Sequence, residues 1–267
     1  MKKKILATVL IAILSISLTA CGKKENDDEN KIVIGAVLTP HSEILEQVKP
    51  KLKEEGIDLE IKVFDDSSQL NPALKDGEID ANYFQHKQYL DSVADEKGFD
   101  FEVAGNIHVE PIGLYSDKIK SLDELKDGDT IVVPEDASNE YRAFLLLEKY
   151  NVIKLKSTAS NKTATVNDIE ENPKHLVFKE LDGYQIPRSL QDVTAAIINT
   201  NVALQSDIDT SKTIIKEGSD SPYANIIAVR KGDKDKEKIK KLVEALQSDD
   251  IKKFIEEKYN GAVIPAF

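Results

Sequence analysis

A single cysteine, Cys21, and no tryptophan occur in 267 residues. One thiol excludes an internal disulfide framework and any cysteine-built metal cluster. The four histidines at 41, 86, 108 and 175 are scattered, and the chain has no His-Glu-x-x-His pair, no Gly-x-Ser-x-Gly elbow and no phosphate loop. The sequence therefore carries no positive sign of an enzyme, a cofactor or a metal, and no catalytic residue is assigned. Basic charge is also scarce, with 36 Lys and Arg against 48 Asp and Glu and a net charge of -12. Such a chain lacks the basic face that nucleic-acid binding needs, and its acidity reads as a solvated surface.

A membrane-spanning length of apolar residues is missing too. The run over residues 5–20 has sixteen positions, short of the roughly 20 that a spanning helix requires. Lys2, Lys3 and Lys4 precede it, and it ends in Leu18-Thr19-Ala20-Cys21. A basic start, a short apolar centre and small residues at the end describe a secretory signal, with an uncleaved anchor as the alternative. Leu-Thr-Ala-Cys resembles a bacterial lipobox, whose cysteine becomes the acylated N-terminus after cleavage. Cys21 is then a lipid attachment point, and removal of residues 1–20 takes the net charge to -15 over 247 residues. Residues 22–30 hold no large apolar side chain and read as a flexible tether able to reach about 30 Å.

What is present is 40% hydrophobic residues, enough for one large or two modest domains, arranged as strands alternating with helices. Residues 31–38 read as a strand, and Thr39-Pro40 as the start of a helix with Ile44, Leu45, Val48 and Leu52 on one face. Ile57, Leu59, Ile61 and Val63 alternate as a second strand. A short helix over 71–77, a brief strand at 79–81, a helix around 89–94 and an extended stretch over 101–115 follow. Ser121-Leu-Asp-Glu124 has the form of a capping box. Strands at 130–133, 177–181, 195–198 and 224–229, a helix around 142–150, and helices at 236–246 and 249–259 complete the pattern. Interleaved elements of this kind predict an α/β fold with ligands at the carboxyl ends of strands.

Three segments concentrate recognition chemistry. In Asn82-Tyr83-Phe84-Gln85-His86, with Tyr89 close behind, aromatics and a histidine gather at a strand end. A ligand pocket fits this pattern, and so does an aromatic minicore holding a satisfied histidine. Arg142 is predicted in the first turn of its helix, where a ligand carboxylate would pair with it bidentately. A solvated Arg, or a salt bridge to Glu135 or Asp136, fits equally. Asn199 and Asn201 follow one apolar strand and Asn225 opens another. Their amides suit a zwitterion's ammonium and carboxylate, and they also suit turns.

Taken together these segments resemble the NlpA lipoprotein family. The likeness covers essentially the whole chain after Cys21. It rests on Pro40-His-Ser-Glu-Ile-Leu45, Gly77-Glu-Ile-Asp-Ala-Asn-Tyr-Phe-Gln-His86, Lys120-Ser-Leu-Asp-Glu-Leu125, Ile198-Asn-Thr-Asn201, Asp220-Ser-Pro-Tyr-Ala-Asn225 and Gly261-Ala-Val-Ile-Pro-Ala-Phe267. The resemblance implies a bilobed, type II-like periplasmic-binding-protein fold, two α/β lobes joined by crossings near residues 110–113 and 223–226. Residues 31–111 with 227–267 would form the N-terminal lobe and residues 112–226 the second. It also implies a monomer, lipid-anchored on the extracytoplasmic face of the membrane, that delivers L-methionine or a related ligand to an ABC permease and ATPase. Phe84, His86 and Tyr89 would form the side-chain pocket, Arg142 would hold the carboxylate, and Asn199 and Asn225 would hold the amino-acid backbone.

Three positions depart from the family pattern and are candidates for altered specificity. Ser67 stands where relatives usually carry a pocket tyrosine, Tyr141 where they carry glycine, and Val202 where a tyrosine is common. Tyr141 would then refill space left by Ser67, or the pocket would suit another amino acid or a methionine-containing dipeptide. A metal-binding lipoprotein using His41, His86 and His108 with a carboxylate, and a surface interaction lipoprotein, are the alternative functions.

Overall fold

A computed structural model describes residues 30–160 and 162–267. The signal segment, Cys21 and the tether up to residue 29 lie outside the described residues. Strand β1 (Lys31–Ala36) leads through helix α1 (Glu43–Glu54) to β2 (Asp58–Val63), which pairs with β1 in parallel over its full length. Helix α1 buries Ile44, Leu45, Val48 and Leu52, the face that the apolar spacing predicts. Helix α2 (Leu70–Lys75) delivers β3 (Ala81–His86) to the other side of β1. Helix α3 (Lys87–Lys97) then ends at Gly98, whose φ of 68° is the left-handed conformation that closes a helix. Strand β4 (Phe101–Val109) follows.

The chain then leaves this sheet and builds a second one. Its elements are β5 (Gly113–Tyr115), β6 (Thr130–Pro134), α4 (Ala137–Lys149), β7 (Lys154–Leu155), β8 (Ile169–Glu171), β9 (Val177–Leu181), α5 (Ile186–Ser189), β10 (Ala195–Ile198), α6 (Thr200–Gln205) and β11 (Ile215–Lys216). It returns to the first sheet with β12 (Ala224–Arg230), α7 (Glu237–Leu246), α8 (Asp249–Tyr259) and β13 (Ile264–Pro265). The strand orders are β13-β4-β12-β3-β1-β2 in the first sheet and β11-β5-β10-β6-β9 in the second, with β7 and β8 as a separate ribbon. The fold is thus two α/β lobes, each with its own sheet, joined by two passages of the chain.

Each lobe packs its helices on its sheet by burying apolar faces. In the first, Leu52 of α1, Leu242 and Leu246 of α7 and Ile255 of α8 pack against Ile32, Ile34 and Tyr83. In the second, Phe144 and Leu147 of α4 pack against Ile131, Val133 and Ile197. Fully burying one such side chain is worth about 1.5–3 kcal/mol, so each lobe has the means to hold its own shape. No helix among the described residues is long and apolar enough to cross a membrane.

Four local expectations are corrected. The brief strand expected at 79–81, ending before Asn82, is instead β3 over Ala81–His86, because Asn82, Tyr83 and His86 pair with β12. The helix expected around Arg142 begins five residues earlier, because the Asp136 side chain accepts the Asn139 backbone N–H and caps it, which puts Arg142 in the second turn. Thr39-Pro40 does not open a regular helix: Thr39 is extended, residues 38–42 form an irregular turn, and α1 starts at Glu43. Ser121 makes no side-chain cap, and the segment closes as a single tight turn over Leu122–Glu124 in which Glu124 accepts from the Lys120 N–H instead.

Candidate ligand-binding site

The carboxyl ends of β3, β6 and β10 face one another across a cavity of about 280 Å³. Alternation along β3 puts Phe84 and His86 on one face, and Tyr89 in the first turn of α3 brings its ring edge-on to both, at 6.1 and 6.4 Å. These three line the cavity from the first lobe with Ser67. Arg142, Asn199 and Val202 line it from the second, and Asn225 lines it from the start of β12, where the chain returns to the first sheet. Of the candidate ligand-binding and specificity residues among the described ones, Tyr141 alone is not in the lining, and Asn82, Tyr83, His41 and His108 also stay outside it. Tyr141 packs against the core of the second lobe, and the aromatic beside Ser67 is Tyr184.

Arg142 is 2% exposed and gripped on one edge. Nε donates to Glu217 Oε1 at 2.8 Å and Nη2 to Glu217 Oε2 at 2.5 Å, with a further bond from Nη2 to the Glu110 carbonyl at 2.7 Å. The Tyr223 ring lies 4.4 Å from the guanidinium carbon. The salt bridge is therefore to Glu217, not to Glu135 or Asp136. Nη1 makes no protein hydrogen bond among the described residues, so the guanidinium keeps donors for a cleft ligand.

His86 is a neutral wall. Its Nδ1 accepts from the Tyr89 backbone N–H at 3.1 Å, so the proton sits on Nε2, which donates to Asn139 Oδ1 at 3.2 Å. Burial, and then the Arg142 charge, push its pKa down to about 3. With both nitrogens engaged, the ring offers carbon edges rather than polar atoms to a ligand.

His41 and His108 converge on Glu110 beneath the cavity floor. His108 Nε2 lies 2.7 Å and His41 Nε2 3.3 Å from Glu110 Oε1, while Oε2 accepts from the Asn201 backbone N–H at 2.8 Å. Burial opposes ionisation of Glu110, but the histidines and the Asn201 N–H outweigh it and hold the carboxyl below its usual range. Burial likewise brings His41 down to about 4, against the pull of Glu110.

This is the sole trio of potential metal ligands close together among the described residues, and His86 is not part of it. The 2.7 Å separation is a hydrogen bond. Two ligands on a tetrahedral zinc with bonds of about 2.0–2.1 Å would stand about 3.3 Å apart. As it stands the cluster is held together by hydrogen bonds centred on Glu110.

Glu110, Asn139, Tyr184 and Glu217 were not among the residues predicted to form the site. Glu217 lies 75 residues from Arg142 in a segment without periodicity, so no local pattern marks it. Asn139 had a signal, since Asp136 three residues before it is a helix-capping spacing.

Comparison with known proteins follows the same outline. The family model described as NlpA lipoprotein matches residues 32–267. The methionine-binding lipoprotein MetQ of Bacillus subtilis is 42% identical, with 99% of each chain covered. The D-methionine-binding lipoprotein MetQ of Escherichia coli O157:H7 is 42% identical over 98% of each. Among solved structures, a nutrient binding protein from Burkholderia cenocepacia bound to methionine is 47% identical, with a TM-score of 0.85 over 88% of this chain and 100% of that one.

Proposed function

The chain belongs to the NlpA lipoprotein family, and we propose that it captures L-methionine between its lobes and delivers it to the permease and ATPase of an ABC importer. It works by binding and is not an enzyme. The observation that carries this reading is the composition of the cavity, in which aromatic rings from one lobe face a buried, partly engaged arginine from the other. A carboxylate that leaves water for the cavity needs a charged, hydrogen-bonding partner, and Arg142 supplies one. The thioether would lie against Phe84, Tyr89 and the carbon edge of His86, gaining apolar burial and about 0.3–1.5 kcal/mol of sulfur–aromatic contact. Asn199 and Asn225 would meet the amino-acid backbone. Ser67 and Val202 would set the size of the side-chain end.

Residues 31–111 with 227–267 and residues 112–226 would act as the two lobes. A ligand that touches both favours the closed arrangement through those contacts, which couples capture to a hinge movement. Acylation of Cys21 would tether the monomer to the extracytoplasmic face of the membrane within reach of its transporter.

The test is thermal unfolding of the chain from residue 22 onward, unfolded and refolded first to strip carried-over ligand. L-Methionine at about 100 times its Kd should stabilise by about 2.7 kcal/mol, a Tm rise of roughly 5–10 °C for a chain of this size. A rise with D-methionine, another amino acid or a dipeptide and none with L-methionine would reassign the ligand.

A further inference from the structure

The amide groups around the cavity have their orientations dictated by groups that can act in only one way. Asn139 Nδ2 lies 3.1 Å from both Asp136 oxygens, and a carboxylate only accepts, so the nitrogen of that amide is identified and Oδ1 points the other way. Oδ1 receives the Asn199 Nδ2 donor at 2.9 Å together with the His86 Nε2–H. Asn199 therefore spends its nitrogen on Asn139. Its own Oδ1, which makes no hydrogen bond among the described residues, is left as an acceptor at the cavity that Asn199 lines.

Asn225 is set in the opposite sense. His41 Nε2 lies 3.0 Å from Asn225 Oδ1 and 3.3 Å from the Glu110 carboxylate, two acceptors, so the ring nitrogen between them carries the hydrogen. The second ring nitrogen, Nδ1, is buried without a partner, in keeping with a neutral ring protonated on Nε2 alone. Asn225 Oδ1 is thereby occupied from behind and its Nδ2 is presented to the cavity as a donor.

Resting on the proposed function, we propose that Asn139 and His41 are positioning residues that fix the two asparagines in opposite senses, Asn199 as acceptor for the ligand's α-ammonium and Asn225 as donor to its α-carboxylate. The cleft then has a built-in direction: an α-amino acid enters with its carboxylate toward Asn225 and Arg142 and its ammonium toward Asn199. Neither positioning residue needs to touch the ligand. Asn139 also joins the lobes, since His86 belongs to the first and Asn199 to the second.

The test measures affinities of the full-length chain in detergent, stripped of ligand, for three probes: L-methionine, its des-amino analogue 4-(methylthio)butanoate, and L-methionine amide. In Asn139→Leu, Asn199 loses its anchor and can turn. The preference for L-methionine over the des-amino acid should fall at least tenfold, because affinity for L-methionine falls further than affinity for the des-amino acid. In His41→Phe, which keeps a buried ring and removes the donor, the preference for L-methionine over its amide should fall at least fivefold. His41→Gln, which restores an N–H near the Nε2 position, should recover most of it. A merely structural role would weaken all probes together and leave the ratios unchanged in every variant, and that result overturns the positioning roles while the proposed function stands. Failure of the wild-type chain to bind any α-amino acid overturns both.

Discussion

The Arg142 guanidinium and the Glu217 carboxylate form a two-bond fork at 2.8 and 2.5 Å, with Arg142 2% exposed. Glu217 is itself held by the Ile112 backbone N–H at 3.1 Å and the Ser221 hydroxyl at 3.1 Å. The pair ties α4 to both passages between the lobes: Ile112 ends the first and Ser221 stands in the second. A cation so placed ties these passages together with one edge and leaves Nη1 without a protein hydrogen bond among the described residues.

Removing that cation should separate ligand binding from stability. Arg142→Ala is expected to lower L-methionine affinity at least thirtyfold, about 2 kcal/mol, and to lower Tm because Glu217 is left without its charged partner. The double variant Arg142→Ala with Glu217→Ala should regain part of the lost stability and none of the binding. Calorimetric titration and thermal unfolding of the same three proteins check both parts. Affinity within threefold of wild type in Arg142→Ala would remove the arginine from the ligand's contacts.

The aromatic wall beside Ser67 gives a second comparison. Tyr184 lines the cavity with Ser67 and Asn201 beside its hydroxyl, whereas Tyr141 packs into the second lobe. Tyr184→Ala should weaken L-methionine binding about tenfold, while Tyr141→Ala should hold affinity within threefold and show its effect in Tm. The reverse order would return Tyr141 to the role of filling the space left by Ser67.

Much of this architecture could be read from the chain because periodicity reports burial. The face of α1, the strand end before Asn199, and the last two helices follow directly from apolar spacing. The start of α4 was misplaced because Ala137-Ser138-Asn139-Glu140 has no large apolar residue, and only the Asp136 cap marks it. Glu217, Glu110 and Tyr184 could not be placed at the site because their roles come from contacts between distant segments. Such partners leave no trace in local spacing. The same blindness applied to the Ser121 capping box, where the motif was present but the following residues gave no helix to cap.

Lipidation makes a prediction that needs no pocket. Cys21→Ser removes the sole thiol, the proposed point of acylation. The wild-type chain expressed in a lipoprotein-processing bacterium should fractionate with membranes and incorporate a labelled fatty acid. The variant should do neither, although the folded part should still show the L-methionine Tm shift. Label incorporation by the variant would place the lipid elsewhere.

The two buried histidines predict an acid-side loss of stability. His86 and His41 have folded-state pKa values near 3 and 4, below the 6.5 of an unfolded histidine. Between pH 6.5 and about 4 the unfolded chain therefore binds protons that the folded chain does not, so stability falls as pH falls. The slope is up to about 1.4 kcal/mol per pH unit for each histidine. Denaturant unfolding at pH 7, 6 and 5 should show this decline, and His41→Phe should flatten it. An unchanged slope in that variant would mean that His41 protonates freely in the folded chain.

Glu140 acts in the opposite direction. It is 1% exposed, its Oε1 has no hydrogen-bond partner, and burial followed by the neighbouring Glu180 pushes its pKa up to about 9. A group whose folded pKa lies above its unfolded value of about 4.5 contributes fully below that value, and its contribution is lost as pH rises toward 9. Near neutral pH the folded chain must keep a proton that the unfolded chain gives up. Glu140→Gln supplies a neutral side chain of the same shape and removes this cost, so Tm should rise by several degrees at pH 8 and change little at pH 4.5. Because Glu140 is not in the cavity lining, L-methionine affinity should stay within twofold. Equal Tm changes at the two pH values would show that the gain comes from packing, and a fall at pH 8 would show that Glu140 is ionised and paired in the folded protein.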